Sequence, residues 1–106
     1  MSWSISYSEE AKKDLRDIYE YIAFELLVPD IVAAQYKRII DSVRQLDEMP
    51  LRFPLYKDEP WNGLGMRWFP VDNYLVFYFV DELSEQVFIV RIMYKGRDIS
   101  CQLEDK

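Results

Sequence analysis

The sequence predicts an α+β domain: an N-terminal strand, a helical hairpin, then an antiparallel three-stranded meander (β-α-α-β-β-β), with the helices packed on one sheet face. Three observations predict it. Apolar residues recur every three or four positions through residues 8–48. Prolines and glycines then crowd residues 49–65. From 66 to 93 β-branched and aromatic residues dominate, broken by short turns. At 106 residues the chain is expected to form one domain, 1–106.

Residues 3–7, WSISY, alternate, so Trp3, Ile5 and Tyr7 share one face of a short strand. Ser8 reads as the N-cap of a helix reaching about Leu27, with Glu9 and Glu10 in its first turn, where the helix dipole favours acids. Ala11, Leu15, Ile18 and Ile22 form its apolar stripe. Pro29 interrupts, and Asp30 caps a second helix to about Glu48. Val32, Tyr36, Ile39, Val43 and Leu46 are its stripe. Neither helix can bury its stripe alone, so a sheet must receive both. Residues 49–65, MPLRFPLYKDEPWNGLG, hold three prolines and two glycines and read as a long loop. The strands are MRWFPV, NYLVFYFV and QVFIVRIM, at 66–71, 73–80 and 86–93. Pro70 has no N–H to donate, which places its strand at an edge or breaks it there.

Strand 73–80 is apolar on both faces: Tyr74, Val76, Tyr78 and Val80 on one, Leu75, Phe77 and Phe79 on the other. A helical hairpin covers one face only. The loop, the tail, a partner protein or a second copy in a homodimer must cover the other. The aromatic residues Tyr19, Tyr36, Phe77, Tyr78 and Phe88 are expected in the core.

Composition excludes several chemistries. There is no histidine, the commonest general base near neutral pH and the commonest zinc ligand. Lone Cys101 permits no internal disulfide, which suits a cytoplasmic location. The opening residues have no cationic start and no apolar run, so no signal peptide is expected, and no apolar stretch reaches the roughly 18 residues of a membrane span. No cofactor or metal is expected. The net charge of −6 argues against general nucleic-acid binding. The charge is uneven: residues 1–51 carry six basic and ten acidic side chains, while residues 52–97 carry six of each. The interleaved charges on the first helix, Glu9, Glu10, Lys12, Lys13, Asp14, Arg16 and Asp17, read as a solvated face.

The second half therefore has room for a basic patch. Arg67 and Arg91 lie on strands. Tyr94, Lys95 and Arg97 follow the last one. Gathered by a meander, such guanidinium and ammonium groups suit phosphate binding and charge stabilisation, with Tyr94 as a proton donor or stacking platform. The alternative is that they pair with Asp72, Asp81, Asp98 or an acid on a neighbouring strand.

The order of these segments resembles the ParE/RelE superfamily of toxins from bacterial type II toxin–antitoxin systems, and the ParE branch most. The resemblance rests on ISYSEEAKKDLRDIYEYIA, the second helix ending LDEMP, GLGMRWFPVDNYLVFYFV and VFIVRIMYKGRDI. It implies a small cytoplasmic toxin of a plasmid-stabilisation module, wrapped by a helix or strand of a cognate antitoxin. ParE-like toxins poison DNA gyrase. RelE-like toxins cut mRNA in the ribosomal A site with basic residues and often a tyrosine. In ribonuclease members an arginine follows the tyrosine of the strand matching 73–80, whereas Leu75 follows Tyr74 here. A tyrosine shortly after the final arginine is also missing, since Asp98, Ile99, Ser100, Cys101 and Gln102 follow Arg97. Arg97 is the matched basic residue, and Lys57 is a loose match for the family's loop lysines. These departures favour a binding inhibitor of gyrase over an mRNA endoribonuclease. A degenerate member that only binds its antitoxin is the third reading. Arg67, Arg91, Tyr94, Lys95 and Arg97 are the candidate positions for contact with target or antitoxin.

Overall fold

The computed structural model describes residues 3–20, 29–57 and 59–95, without the side chains of 29–33. Strand β1 spans Ser4–Tyr7 and helix α1 Glu9–Glu20. Helix α2 spans Pro29–Arg44 and runs on into a 3₁₀ turn at Gln45–Asp47. A second 3₁₀ turn, Pro50–Arg52, and a single helical turn, α3 at Trp61–Leu64, lie in the segment expected to be loop. The meander is β2 (Arg67–Val71), β3 (Tyr74–Asp81) and β4 (Gln86–Tyr94). The α+β architecture and its element order are as the sequence predicts. The far end of the first helix, with Ile22 and Leu26, lies outside the described residues.

The sheet order is β1-β4-β3-β2. The meander pairs antiparallel, and β1 joins β4 in parallel, with Ser4 opposite Gln86 and Tyr7 opposite Ile89. Pro70 sits on edge strand β2, where its missing N–H breaks no ladder. Strands β2 and β3 are joined through Asp72 and Asn73 alone, and Asp72 adopts φ 56°, a left-handed conformation that Asp tolerates better than most residues. Arg38 Nε and Gln35 Nε2 of α2 donate to the Asp72 carboxylate at 2.7 and 3.0 Å, fastening the helix to this turn. These bonds hold the Asp72 carboxyl below its ordinary pKa.

Both sheet faces pack apolar residues. On the helix side Ala11, Leu15, Ile39, Val43 and Leu46 pack against Val76, Tyr78, Val87, Ile89 and Ile92. On the other side Tyr56 and Met66 pack with Phe77 and Met93, and Trp61, Trp68, Leu75, Phe79 and Val90 lie around them. Thus the proline-rich segment covers part of the second face. It is anchored by Tyr78, whose buried hydroxyl donates to Pro50 O at 2.6 Å, and by Arg67, whose Nη1 donates to Phe53 O at 2.6 Å. Phe77 and Tyr78 are core residues as expected. Tyr19, Tyr36 and Phe88 are not: each is exposed, Phe88 at 37%. Tyr19 and Tyr36 instead meet edge to face across α1 and α2, with centroids 6.1 Å apart. Among the described residues no helix is long and apolar enough to cross a membrane.

Two outcomes are expected. Ile39→Ala empties a fully buried position between α2 and the sheet and should cost about 3 kcal/mol in urea unfolding. Burial pushes the Tyr7 and Tyr78 hydroxyls up to about 12. The unfolded chain ionises them near 10, so this stabilisation is complete below pH 10 and is lost as the pH rises towards 12. Tyr78→Phe should cost about 1 kcal/mol at pH 7 through the lost hydrogen bond, yet flatten the alkaline fall. An unchanged slope of unfolding free energy between pH 10 and 12 would contradict the assignment.

Candidate functional site

The cations singled out in the sequence lie on different parts of the sheet. β4 contains an irregularity: Phe77 pairs with Arg91 but Tyr78 pairs with Ile89, so Val90 is an extra residue in the ladder. Beyond Ile89, β4 outruns its parallel partner, because β1 ends at Tyr7. The start of α1 takes over that edge. Ser8 N donates to Ile89 O at 2.8 Å, and Ser8 Oγ donates to Val90 O at 2.9 Å while accepting Ala11 N at 2.9 Å as the N-cap. Two turns further into the helix, Asp14 accepts Arg91 Nε at 2.8 Å, Arg91 Nη2 at 3.1 Å and the backbone Ile92 N at 2.9 Å.

Arg91 is therefore a fork closed on one carboxylate, with 17% and 13% of the two side chains exposed. The bond to Asp14 holds the guanidinium charged more firmly than usual, against the opposing effect of burial. The sequence reading allowed Arg91 an acid on a neighbouring strand, and the acid is on α1. Asp14, assigned by its charged neighbours to a solvated face, is instead the partner. One signal could have found it. Asp14 lies three residues after Ala11 and four before Ile18, on the flank of the apolar stripe.

Arg67 lies opposite Tyr78 on β2, and its guanidinium is turned to Phe53 O. Tyr94 pairs with Tyr74 at the other end of the sheet. Along the strand that separation is four residues, roughly 13 Å. Arg67 and Tyr94 are thus held apart. Tyr94 is 49% exposed and meets Tyr74 edge to face with centroids 5.7 Å apart. Lys95 is exposed beside it, its backbone N donating to Asn73 O at 2.8 Å. Lys57 is exposed in the covering segment. Arg97 lies outside the described residues. What the sheet brings together is Tyr94, Lys95 and Tyr74, an aromatic and cationic end suited to contact with a macromolecule. A cleft of about 530 Å³ opens between α1 and α2, with Lys12, Arg16, Tyr19 and Tyr36 among its lining. Among the described residues no group of three or more acidic or thiol side chains gathers as a metal site.

A small α+β domain is the class that this strand, hairpin and meander define, and comparison with known proteins specifies it. The family described as ParE toxin of type II toxin-antitoxin system, parDE, matches residues 5–99. The chain belongs to that family and is a type II toxin–antitoxin toxin. None of the curated proteins matches it significantly by sequence. Solved structures share its fold at low identity. The chromosomal ParDE system of P. aeruginosa aligns with a TM-score of 0.71 at 20% identity, covering 88% of this chain and 96% of that one. The RelBE2 toxin–antitoxin complex of Mycobacterium tuberculosis aligns at 0.64 and 20%, covering 89% and 99%. Free E. coli RelE, in a variant form, aligns at 0.66 and 13%, covering 96% and 93%.

Removing the acid from the node at β4 tests its weight. Asp14→Asn should leave Arg91 charged and half-satisfied, and cost about 3 kcal/mol in denaturant unfolding. The pair Asp14→Leu with Arg91→Met should recover only part of that loss, because no lone charge then remains but the Ile92 amide is left unpaired.

Proposed function

We propose that this toxin acts by binding DNA gyrase in the cytoplasm, not by cutting RNA, and that a cognate antitoxin neutralises it. The placement of the cations carries this reading. Ribonuclease chemistry without histidine needs several basic groups converging on one phosphate, with a proton donor beside them. Arg91 is closed on Asp14, and Arg67 holds the covering segment through Phe53 O. Tyr78, the tyrosine nearest Arg67 in the ladder, is buried with its hydroxyl on Pro50 O. Those side chains serve the fold. Tyr94 and Lys95 remain at the sheet end, next in sequence to Arg97, as a contact surface for a large target. The antitoxin reading draws support from the structural neighbours, among them the RelBE2 toxin–antitoxin complex, and from the part of the sheet's apolar second face that the proline-rich segment leaves half-buried.

Pulse labelling after tightly controlled induction tests the target. Thymidine incorporation should fall before methionine incorporation, and the purified toxin should inhibit gyrase supercoiling. Should methionine incorporation fall first, with cleaved mRNA on ribosomes, the ribonuclease reading replaces this one. Should neither fall at equal soluble levels, the protein only binds its antitoxin. Arg97→Ala should lower toxicity without lowering the yield of folded protein.

A further inference from the structure

The β2 edge of the sheet is closed to a ligand. Its outward backbone groups are already used: Tyr56 N donates to Met66 O at 2.7 Å and Trp68 N to Pro54 O at 3.2 Å. Two residues on, Pro70 has no N–H to offer. An opening of another kind lies between the helices. Tyr19 and Tyr36, which their periodicity places in the core, stay 50% and 37% exposed. They meet edge to face at 89°, an arrangement that leaves ring faces open to a third planar group. Among the described residues neither hydroxyl makes a hydrogen bond. Both rings line the cleft of about 530 Å³, a volume suited to a small molecule, and buried Leu15 gives it an apolar floor.

The charge of this lining runs against that of the molecule. The whole chain carries −6, yet the cleft has two cations, Lys12 and Arg16, against one acid, Glu20. Lys12 and Arg16 are one turn apart on α1 and share a side of the helix. Lys13, Lys37 and Arg38 are engaged, at 2.9, 2.9 and 2.7 Å from Asp17, Asp41 and Asp72. Lys12 is held loosely, 3.5 Å from exposed Glu9. Arg16 makes no ion pair among the described residues. Glu20 follows it by four positions, the less favourable order for a helical pair. A guanidinium and an ammonium beside an apolar, aromatic cleft suit an anion that also carries a ring.

Spacing sets the size of that ligand. Along the helix axis Tyr19 is about 4.5 Å from Arg16 and about 10.5 Å from Lys12. A ring on the phenols and a phosphate on the cations are then joined by something the length of a sugar. A nucleic-acid strand fits less well, because Glu9, Glu10, Asp17 and Glu20 on the same helix would repel its further phosphates.

We propose that the cleft between α1 and α2 binds a mononucleotide, its base packed on Tyr19 and Tyr36 and its phosphate held by Arg16 and Lys12. This site is independent of the gyrase and antitoxin readings.

Titration calorimetry of the full-length toxin tests it, with adenosine, guanosine, uridine and thymidine monophosphates, their nucleosides and inorganic phosphate. At least one nucleotide should bind at a single site, about tenfold tighter than its nucleoside or inorganic phosphate. Arg16→Ala should weaken the nucleotide about tenfold and leave the nucleoside unchanged. Tyr36→Leu should weaken both about tenfold. Both side chains are exposed, so circular dichroism and the urea midpoint should stay as in the parent. Lys37→Ala, on α2 but outside the lining, should change neither affinity. In the parent chain the nucleotide should shift the amide resonances of residues 15–20 and spare those of Tyr94 and Lys95. Absence of saturation with all four nucleotides at millimolar concentration overturns the proposal. So does inorganic phosphate binding as tightly as the nucleotide, which marks an ion attracted by Arg16 alone. Resonance shifts confined to Tyr94 and Lys95 overturn it too, as does a single-stranded oligonucleotide that binds more tightly than every mononucleotide.

Discussion

The fold turns on one carboxylate. β4 is longer than the parallel strand beside it, and past Ile89 its backbone would meet no partner on that side. An unpaired amide in the interior costs about 1–3 kcal/mol, so a chain of this size has to answer for each one. Here the answer comes from the helix and not from another strand. Ser8 satisfies the carbonyl at Val90, and Asp14 satisfies the amide at Ile92. The extra residue in the β4 ladder, at Val90, goes with Arg91 reaching the same carboxylate from the sheet side. Helix start, sheet edge and bulge are thereby one unit. The relative position of α1 and the sheet follows from it, and so does the alignment of Ala11 and Leu15 over Ile89 and Ile92.

The second constraint is the two-sided sheet. A helical hairpin cannot reach the face that carries Phe77 and Met93. The proline-rich segment does so with little regular structure of its own, because side chains of the sheet pin its near end. On the helix side Tyr78 donates to Pro50 O and Arg67 to Phe53 O. Its far end is fixed by α3, where Asn62 Nδ2 donates to Tyr56 O at 2.8 Å and Met66 N donates to Trp61 O at 3.0 Å. Gly65, at φ 87°, ends that turn in a conformation open to glycine and turns the chain into β2. Arg67, a candidate contact residue in the sequence, is therefore part of the molecule's own fastening, together with the core residue Tyr78.

Much of this was legible in the residues. The 3.6-residue period marks α1 and α2, the serine before two glutamates marks a cap, and Pro70 marks an edge strand. Each of those signals is local. The misjudged positions depend on register, which is not local. Asp14 looks solvated because its sequence neighbours are charged, and only the parallel pairing of β1 with β4 puts Arg91 across from it. Tyr19 and Tyr36 are exposed because they meet each other across α1 and α2 and not the sheet, and Phe88 because it lies opposite Phe79 on the second face, outside the cluster that Tyr56 and Met66 form there. Arg67 and Tyr94 look like members of one patch until the ladder places them at opposite ends. Arg97 lies outside the described residues, so the reading of the sheet end rests on Tyr94 and Lys95.

The closed edge at β2 has a consequence for assembly. A sheet with two open edges can add copies without limit, each new strand presenting a fresh template to the next. Here one end of the series is terminated, by Pro70 and by the backbone of residues 54–56. Whatever pairs with the other end, growth through the sheet stops after a single junction. For a protein with this much aromatic and β-branched sequence in three consecutive strands, that one-sidedness separates a discrete particle from a fibre.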